Sequence, residues 1–217
     1  MKKLIKKMIK KCYPLLNHCP FNNQWKGVKS RDIKCRALFL KSEIDCKGKG
    51  NRIIINSQNQ FRNCKIFIRG NNNTIEIAED VIMKDVCLWI EDNNNNIRIG
   101  KGSVFSGEIQ LACIEGQEIL IGENCLFSSK ITIRTGDSHS IINSDGKRIN
   151  DSRSVVIGDH VWVGHYAMIN KGVSLPTNSI VGAGAIVTKS FQQENIVIAG
   201  NPAKIIKEEI NWLAERI

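Results

Sequence analysis

The sequence predicts an all-β chain wound as a parallel β-helix of triangular cross-section. Two periods and one interruption predict it. Ile157, Val163, Ile169, Leu175, Val181 and Val187 recur every six residues. Four positions after each comes Val161, Ala167, Val173, Ser179, Ala185 and Phe191. Upstream, Ile53, Ile75, Ile97 and Ile119 are 22 residues apart, as are Ile55, Ile77, Ile99 and Ile121, and Met83, Phe105 and Phe127. Between the two regions the register breaks over 135–154.

The six-residue period fits neither an amphipathic helix nor an alternating strand. It fits a prism in which each hexad supplies one short strand and one corner, and three hexads complete a coil. The aliphatic residue points inward, and the residue four later stands at a tight corner. Glycines at Gly158, Gly164 and Gly182 relieve crowding where a side chain would clash. The 22-residue period reads as one such coil plus a four-residue corner extension. The extensions hold Gly70-Asn71-Asn72-Asn73 and Asp92-Asn93-Asn94-Asn95-Asn96. Asn and Gly accept the left-handed backbone angles that corners need, and Asn side chains can form ladders between stacked coils. Antiparallel hairpins with Asn turns are the alternative, and the constant spacing argues against them.

Ile121 to Ile157 is 36 residues, one coil plus an excess, which is the polar segment 135–154. A long loop leaving a rigid scaffold and carrying a histidine points to function. The chain then divides into an N-terminal segment 1–36, a β-helix 37–202 with the inserted loop, and a C-terminal segment 203–217. Ile205, Ile206, Ile210 and Leu213 predict a helix for the last of these.

The N-terminus differs in kind. Lys2, Lys3, Lys6, Lys7, Lys10 and Lys11 fall on one side of a predicted helix, with Leu4, Ile5, Met8, Ile9 and Cys12 on the other. Pro14 bounds it. The segment lacks the apolar run of a secretory signal or a membrane span. Two readings stay open: weak contact with an anionic membrane surface through residues 2–12, or packing of the apolar side on the body, which is favoured.

The formal charge is +10, from 31 Lys+Arg against 21 Asp+Glu. With no helix-turn-helix, zinc-finger or RNA-binding signature, this charge fits attraction of acidic small molecules or glycans better than nucleic acid. The eight cysteines include no CxxC pair, which argues against a zinc cluster. They read as reduced thiols of a cytoplasmic protein.

Val155-Val156-Ile157-Gly158-Asp159-His160-Val161-Trp162-Val163-Gly164 resembles the "IGDxVWIG" signature of the hexapeptide-repeat acyltransferases. Val181-Gly182-Ala183-Gly184-Ala185-Ile186-Val187-Thr188-Lys189 is similar to their "GAGSVVTK" segment, and Ala199-Gly200-Asn201-Pro202-Ala203-Lys204 to their "GNPAK" close. Arg148-Ile149-Asn150 and Ile210-Asn211-Trp212 are nearer the capsular polysaccharide O-acetyltransferase branch. The resemblance covers about a third of the chain. It implies a left-handed winding, a homotrimer with active sites between subunits, and acetyl-CoA as donor.

It also implies roles. His139, in Thr135-Gly136-Asp137-Ser138-His139, matches the family's loop base for the acceptor hydroxyl; imidazole titrates near neutral pH and can return the proton to the CoA sulfur. Asp137 either orients that ring or caps a turn. Asn150 either binds the acceptor or is loop surface, and Trp162 either stacks on a sugar or packs. The pattern places Ala183, Thr188 and Lys189 beside the pantetheine arm and phosphates of CoA, with Lys204 and Lys207 near its phosphates as point charges. His165 falls next to the CoA channel. The expected reaction is O-acetylation of a bacterial surface-polysaccharide sugar or its precursor, an acidic glycan being compatible with the charge. N-acetylation of an amino sugar and a non-catalytic glycan-binding scaffold are the rivals. The γ-class carbonic anhydrases share the fold, and His160 and His165 are spaced like two of their ligands. Asn170 stands where another histidine is required, so no metal is expected.

Overall fold

The structure is a computed structural model that describes Asn17, residues 23–28 and residues 32–217. Three sheets of eight, seven and nine strands, parallel except for one terminal strand, form the sides of a prism. The chain visits them in turn, so each strand pairs with the strand three elements later until the last two strands of the nine-stranded sheet, which follow each other in sequence. We call the eight-stranded sheet the first face, the seven-stranded sheet the second and the nine-stranded sheet the third.

Both periods are pairing registers. Ile53, Ile75, Ile97 and Ile119 are successive partners on the second face. Met83, Phe105 and Phe127 are successive partners on the third. Ile121 and Ile157 also pair directly, so the intervening loop is an excursion that leaves the register intact. The inward residues of all six hexads are buried, as are the six residues four positions later. All but the buried Ser179 join one continuous core that is mainly Ile, Val, Leu and Phe.

The 22-residue coils differ from the hexad coils in strand length. First-face strands such as Lys65–Arg69 and Val86–Glu91 have 5 and 6 residues, whereas Met168–Ile169 and Ile186–Val187 have 2. The extra residues therefore lengthen strands as well as the corner between first and second faces. That corner carries a buried amide ladder. Asn51 Oδ1 accepts from the Asn73 backbone N–H at 2.9 Å, Asn73 Oδ1 from that of Asn95 at 2.8 Å, and Asn95 Oδ1 from that of Gln117 at 3.1 Å. A corner deep in the stack has no water to satisfy its amides, and the Asn side chains replace it. Loop 135–154 leaves from this same corner, one coil further on.

Hexad glycines answer a close approach between coils. A Cβ on Gly164 would lie 2.7 Å from the Ala183 backbone nitrogen.

Two boundaries shift. Strands Gln24–Lys26 and Ile33–Cys35 already pair with later coils, so the β-helix begins before residue 37. Asn17 is buried over this end, donating to Ala37 O at 2.7 Å and accepting from Phe39 N–H at 2.8 Å. The predicted helix through residues 2–12 lies outside the described residues. At the other end the predicted helix over 203–217 is absent. Ala203–Lys207 is instead a strand, antiparallel to Val197–Gly200. An open sheet edge offered its unpaired backbone groups to the returning chain, and Ile205 and Ile206 suit a strand at least as well as a helix. No helix among the described residues is long and apolar enough to cross a membrane.

Candidate active site

Thr132–Arg134 is a first-face strand, and the chain departs from it into the loop. Thr135 is buried and its Oγ1 accepts from the Ile114 backbone N–H at 2.9 Å. Gly136 follows with no room for a side chain, since a Cβ there would lie 2.1 Å from Ser152 Oγ. The outgoing and returning strands of the loop thus cross in contact at its base.

Asn150 organises what lies beyond. Its Nδ2 donates to Asp137 Oδ2 and to the His139 carbonyl, both at 2.8 Å. Its Oδ1 accepts from Ile141 N–H at 2.7 Å and from Arg148 Nε at 3.2 Å. Both amide hydrogens and both lone pairs are used, so Asn150 is an internal hub with nothing left for a sugar. Of the two readings open for Asn150, acceptor ligand or loop surface, the observed bonds describe a third arrangement, a structural hub inside the loop.

The hub is clamped to the prism on two sides. Lys171 Nζ lies 2.5 Å from Asp137 Oδ2 and 2.8 Å from the Asn150 carbonyl. Arg148 forms a two-pronged pair with Glu115 at 2.9 and 3.0 Å. Hydrogen bonding to Lys171 is the main reason that the Asp137 carboxyl is held below its ordinary pKa, and Arg148 does the same for Glu115. Asp137 therefore faces Lys171 and Asn150, and no hydrogen bond joins it to the His139 ring. The His139 backbone is fixed by Asn150, while its ring is exposed and has no hydrogen-bond partner among the described residues.

Beside the loop base a groove of about 580 Å³ opens on the first face. Arg134, Arg153, Lys171, Met168, Asn170 and Thr188 are among its walls. Thr188 is thus on the same groove as the loop base. Ala183 and Thr188 bracket the strand Ile186–Val187, which places both at the edges of the same face. Lys189 turns its ammonium over the Phe191 ring, 5.7 Å from the centroid. His165, one coil below Ala183 at the corner between third and first faces, shares a 2.8 Å hydrogen bond with Ser129 Oγ.

The remaining candidates stand elsewhere. Trp162 projects from the third face, its Nε1 3.5 Å from Ser128 Oγ. Lys204 and Lys207 are exposed on the terminal antiparallel strand beyond it. The structure brings Asp137 and Thr188 to one groove, holds Asn150 against Asp137 behind it, and leaves His139 on the loop outside the groove lining, while Trp162, Lys204 and Lys207 stand on the adjacent third face. Among the described residues no group of three His, Cys, Asp or Glu is placed to hold a metal. His160 instead stacks on Trp212, with ring centroids 4.1 Å apart and planes at 6°.

Sequence reasoning missed Lys171, Arg134 and Arg153 as groove residues. Nothing local marks them; the outward column of the first face, read in register, would have found Arg134, whereas Arg153 and Lys171 lie outside the strands.

Residues 154–189 match the family described as bacterial transferase hexapeptide (six repeats). The solved structure of the polysialic acid O-acetyltransferase OatWY is 31% identical, covers 90% of this chain and 92% of its own, and has a TM-score of 0.68. The chain belongs to the hexapeptide-repeat acyltransferase family. A second member of this family, the polySia-specific acetyltransferase NeuO, is 28% identical over 89% of this chain and 86% of its own, with a TM-score of 0.75. The fold match makes this hexapeptide-repeat protein a left-handed β-helix, against the usual right-handed preference of parallel crossovers. Galactoside O-acetyltransferase of Escherichia coli (strain K12) is 46% identical over 54 residues, 25% of this chain and 26% of its own. The match spans only about a quarter of that curated relative's length.

Proposed function

We propose that this protein is an acetyl-CoA-dependent O-acetyltransferase acting on a hydroxyl of a bacterial surface-polysaccharide sugar or its precursor, with His139 as general base. One observation carries the reading: a loop clamped by two ion pairs lines a cationic groove of the first face with Gly136 and Asp137 and carries, two residues on, the uncommitted imidazole of His139. The full-length similarity to two structures named for polysialic acid acetylation supports the acceptor class.

The groove suits a donor of this kind. Arg153 has no carboxylate partner among the described residues, and a free guanidinium suits phosphate oxygens. Met168 and Asn170 offer an apolar and an amide surface for a pantetheine arm. In the reaction the sugar hydroxyl oxygen attacks the thioester carbonyl carbon while His139 takes its proton. The C–S bond then breaks, the acetyl group stays on the sugar oxygen, and the proton passes to the CoA sulfur. Backbone amides are the default donors to the developing oxyanion.

The third-face residues enter through assembly. In a homotrimer, Trp162, Lys204 and Lys207 of one subunit would face the groove of its neighbour, completing sites between chains. The exposed Ile141, Ile142 and Ile149 on the loop give that contact an apolar surface. We place the enzyme in the cytoplasm, where acetyl-CoA is made.

The test is CoA release with a panel of glycans. His139→Ala should lower turnover roughly 10²–10⁴-fold with an unchanged KM for acetyl-CoA. Near-normal turnover in this variant overturns the assignment of the base. Turnover confined to amino sugars replaces the O-acetylation reading with N-acetylation.

A further inference from the structure

The first face carries a second, smaller cavity of about 220 Å³ on the N-terminal side of the loop. It arises from the outward column of that face. Asp45, Phe67, Trp89, Ala112 and Arg134 are successive register partners. Neighbouring strands are about 4.8 Å apart, so Trp89 and Arg134 stand roughly 10 Å apart across the single small residue Ala112. That leaves a slot about as thick as one sugar ring, with an aromatic wall, a guanidinium wall and a methyl floor.

The aromatic wall is rigid. Trp89 stacks on Phe67 at 3.9 Å and 17°, and the Arg69 guanidinium covers Phe67 at 3.8 Å from its centroid. Arg69 is locked in turn by Asp45, at 2.6 and 3.2 Å from its two carboxylate oxygens. One side of the indole is thereby committed, and Trp89 also lines the slot. The opposite wall is available. Arg134 donates only to Gln110 Oε1, at 3.2 Å, and has no carboxylate partner among the described residues. Glu91 and Gln110 on the rim supply acceptors for hydroxyl groups.

We propose that this slot is an acceptor subsite for a carboxylated six-membered sugar. The sugar ring stacks on Trp89 while its carboxylate takes a two-pronged pair from Arg134. The position fits an acceptor, because Gly136 and Ser138 line the slot just before His139, and Arg134 and Gly136 also line the larger groove. Donor and acceptor then occupy one face on opposite sides of the loop. The inference rests on the O-acetyltransferase reading only in taking the occupant to be the acceptor.

Calorimetric titration of the full chain, without acetyl-CoA, tests it. The probes are oligomers of sialic acid and of galacturonic acid, each against its carboxyl-reduced counterpart. Wild type should bind at least one acidic oligomer about tenfold more tightly than the reduced form. Ala112→Leu, which fills the slot from a solvent-facing position, should weaken that binding at least tenfold, and Arg134→Gln should abolish the preference for the acid. Trp89→Leu provides the same reading should Ala112→Leu fail to fold. Equal binding of acidic and reduced forms in both series, or wild-type affinity in the slot variants, overturns the proposal. Absence of CoA release from wild type with every acceptor would instead overturn the transferase reading, and the binding comparison would still decide the subsite.

Discussion

The Asp137 carboxylate lies 2.5 Å from the Lys171 ammonium, 34 positions further along the chain. Two loop strands and a first-face corner meet at this contact. Asp137 is held below its ordinary pKa of 3.8, chiefly by Lys171. A depressed carboxyl stabilises the fold fully above its ordinary value and loses that contribution as pH falls through the lowered one. The loop should therefore stay closed at neutral pH and loosen only in acid below about pH 4. In Lys171→Met the loosening should begin at higher pH, and turnover at neutral pH should fall roughly 10- to 100-fold through misplacement of His139. Hydrogen exchange over 137–150 as a function of pH reads the first effect. An unchanged profile in the variant would show that the clamp does not hold the loop.

The C-terminal tail is fastened by a reciprocal pair. Trp212 Nε1 donates to the His160 carbonyl at 2.8 Å, and His160 Nε2 lies 3.1 Å from the Trp212 carbonyl, beneath the stacked rings. Trp212→Ala removes a buried indole and should cost about 3 kcal/mol. Residues 208–217 should become open to protease while the prism stays intact. Trp162, whose ring centroid is 6.1 Å from that of Trp212, should report the change in its fluorescence.

The two Asn ladders should differ in strength. Asn73 is buried, and its side chain serves Asp92 O and the backbone N–H of Asn95. Asn73→Ala strands both groups inside the corner and should cost about 2–3 kcal/mol. Asn71 bonds to Lys49 and Asn93 at the exposed surface, where water replaces it. Asn71→Ala should stay within about 0.5 kcal/mol of wild type. Urea unfolding of the two variants compares them directly, and equal losses would mean that burial of the ladder is immaterial.

Burial pushes the thiols of Cys35 and Cys125 up to about 11 and those of Cys64 and Cys113 up to about 12. A thiolate is required for alkylation, so iodoacetamide at pH 8 should leave these four unlabelled in the folded protein. Peptide mass analysis checks this. Rapid labelling of Cys113, which is in the coil beneath the loop, would contradict the packing.

The periods were legible because an inward aliphatic must meet its like one coil away, which turns spacing directly into register. Ile121 and Ile157 show how far that holds, since they pair across the whole loop. His139 stands out in the sequence through its place in an interruption. Its surroundings do not. Asp137 stands two residues from His139 in sequence, yet its partners come from the far end of the loop and the next coil. Local proximity was a poor guide where long-range anchors were on offer. The tail misled for a different reason: an apolar spacing with two readings was decided by an edge strand that the sequence does not advertise. Trp89 and Arg134, 45 positions apart, become neighbours only after two coils are counted out.

The reversed strand Ala203–Lys207 has a consequence for the molecule as a polymer unit. Every coil of a solenoid is a template for the next, and a bare terminal coil invites the coil of another molecule to continue the stack. A newcomer must dock on all three sides together, because its own strands are covalently joined in one winding. Reversing the last strand on one side breaks that match in direction and register. A single antiparallel rung thus acts as a stop codon written in geometry, keeping a structure built on repetition from repeating beyond its own chain.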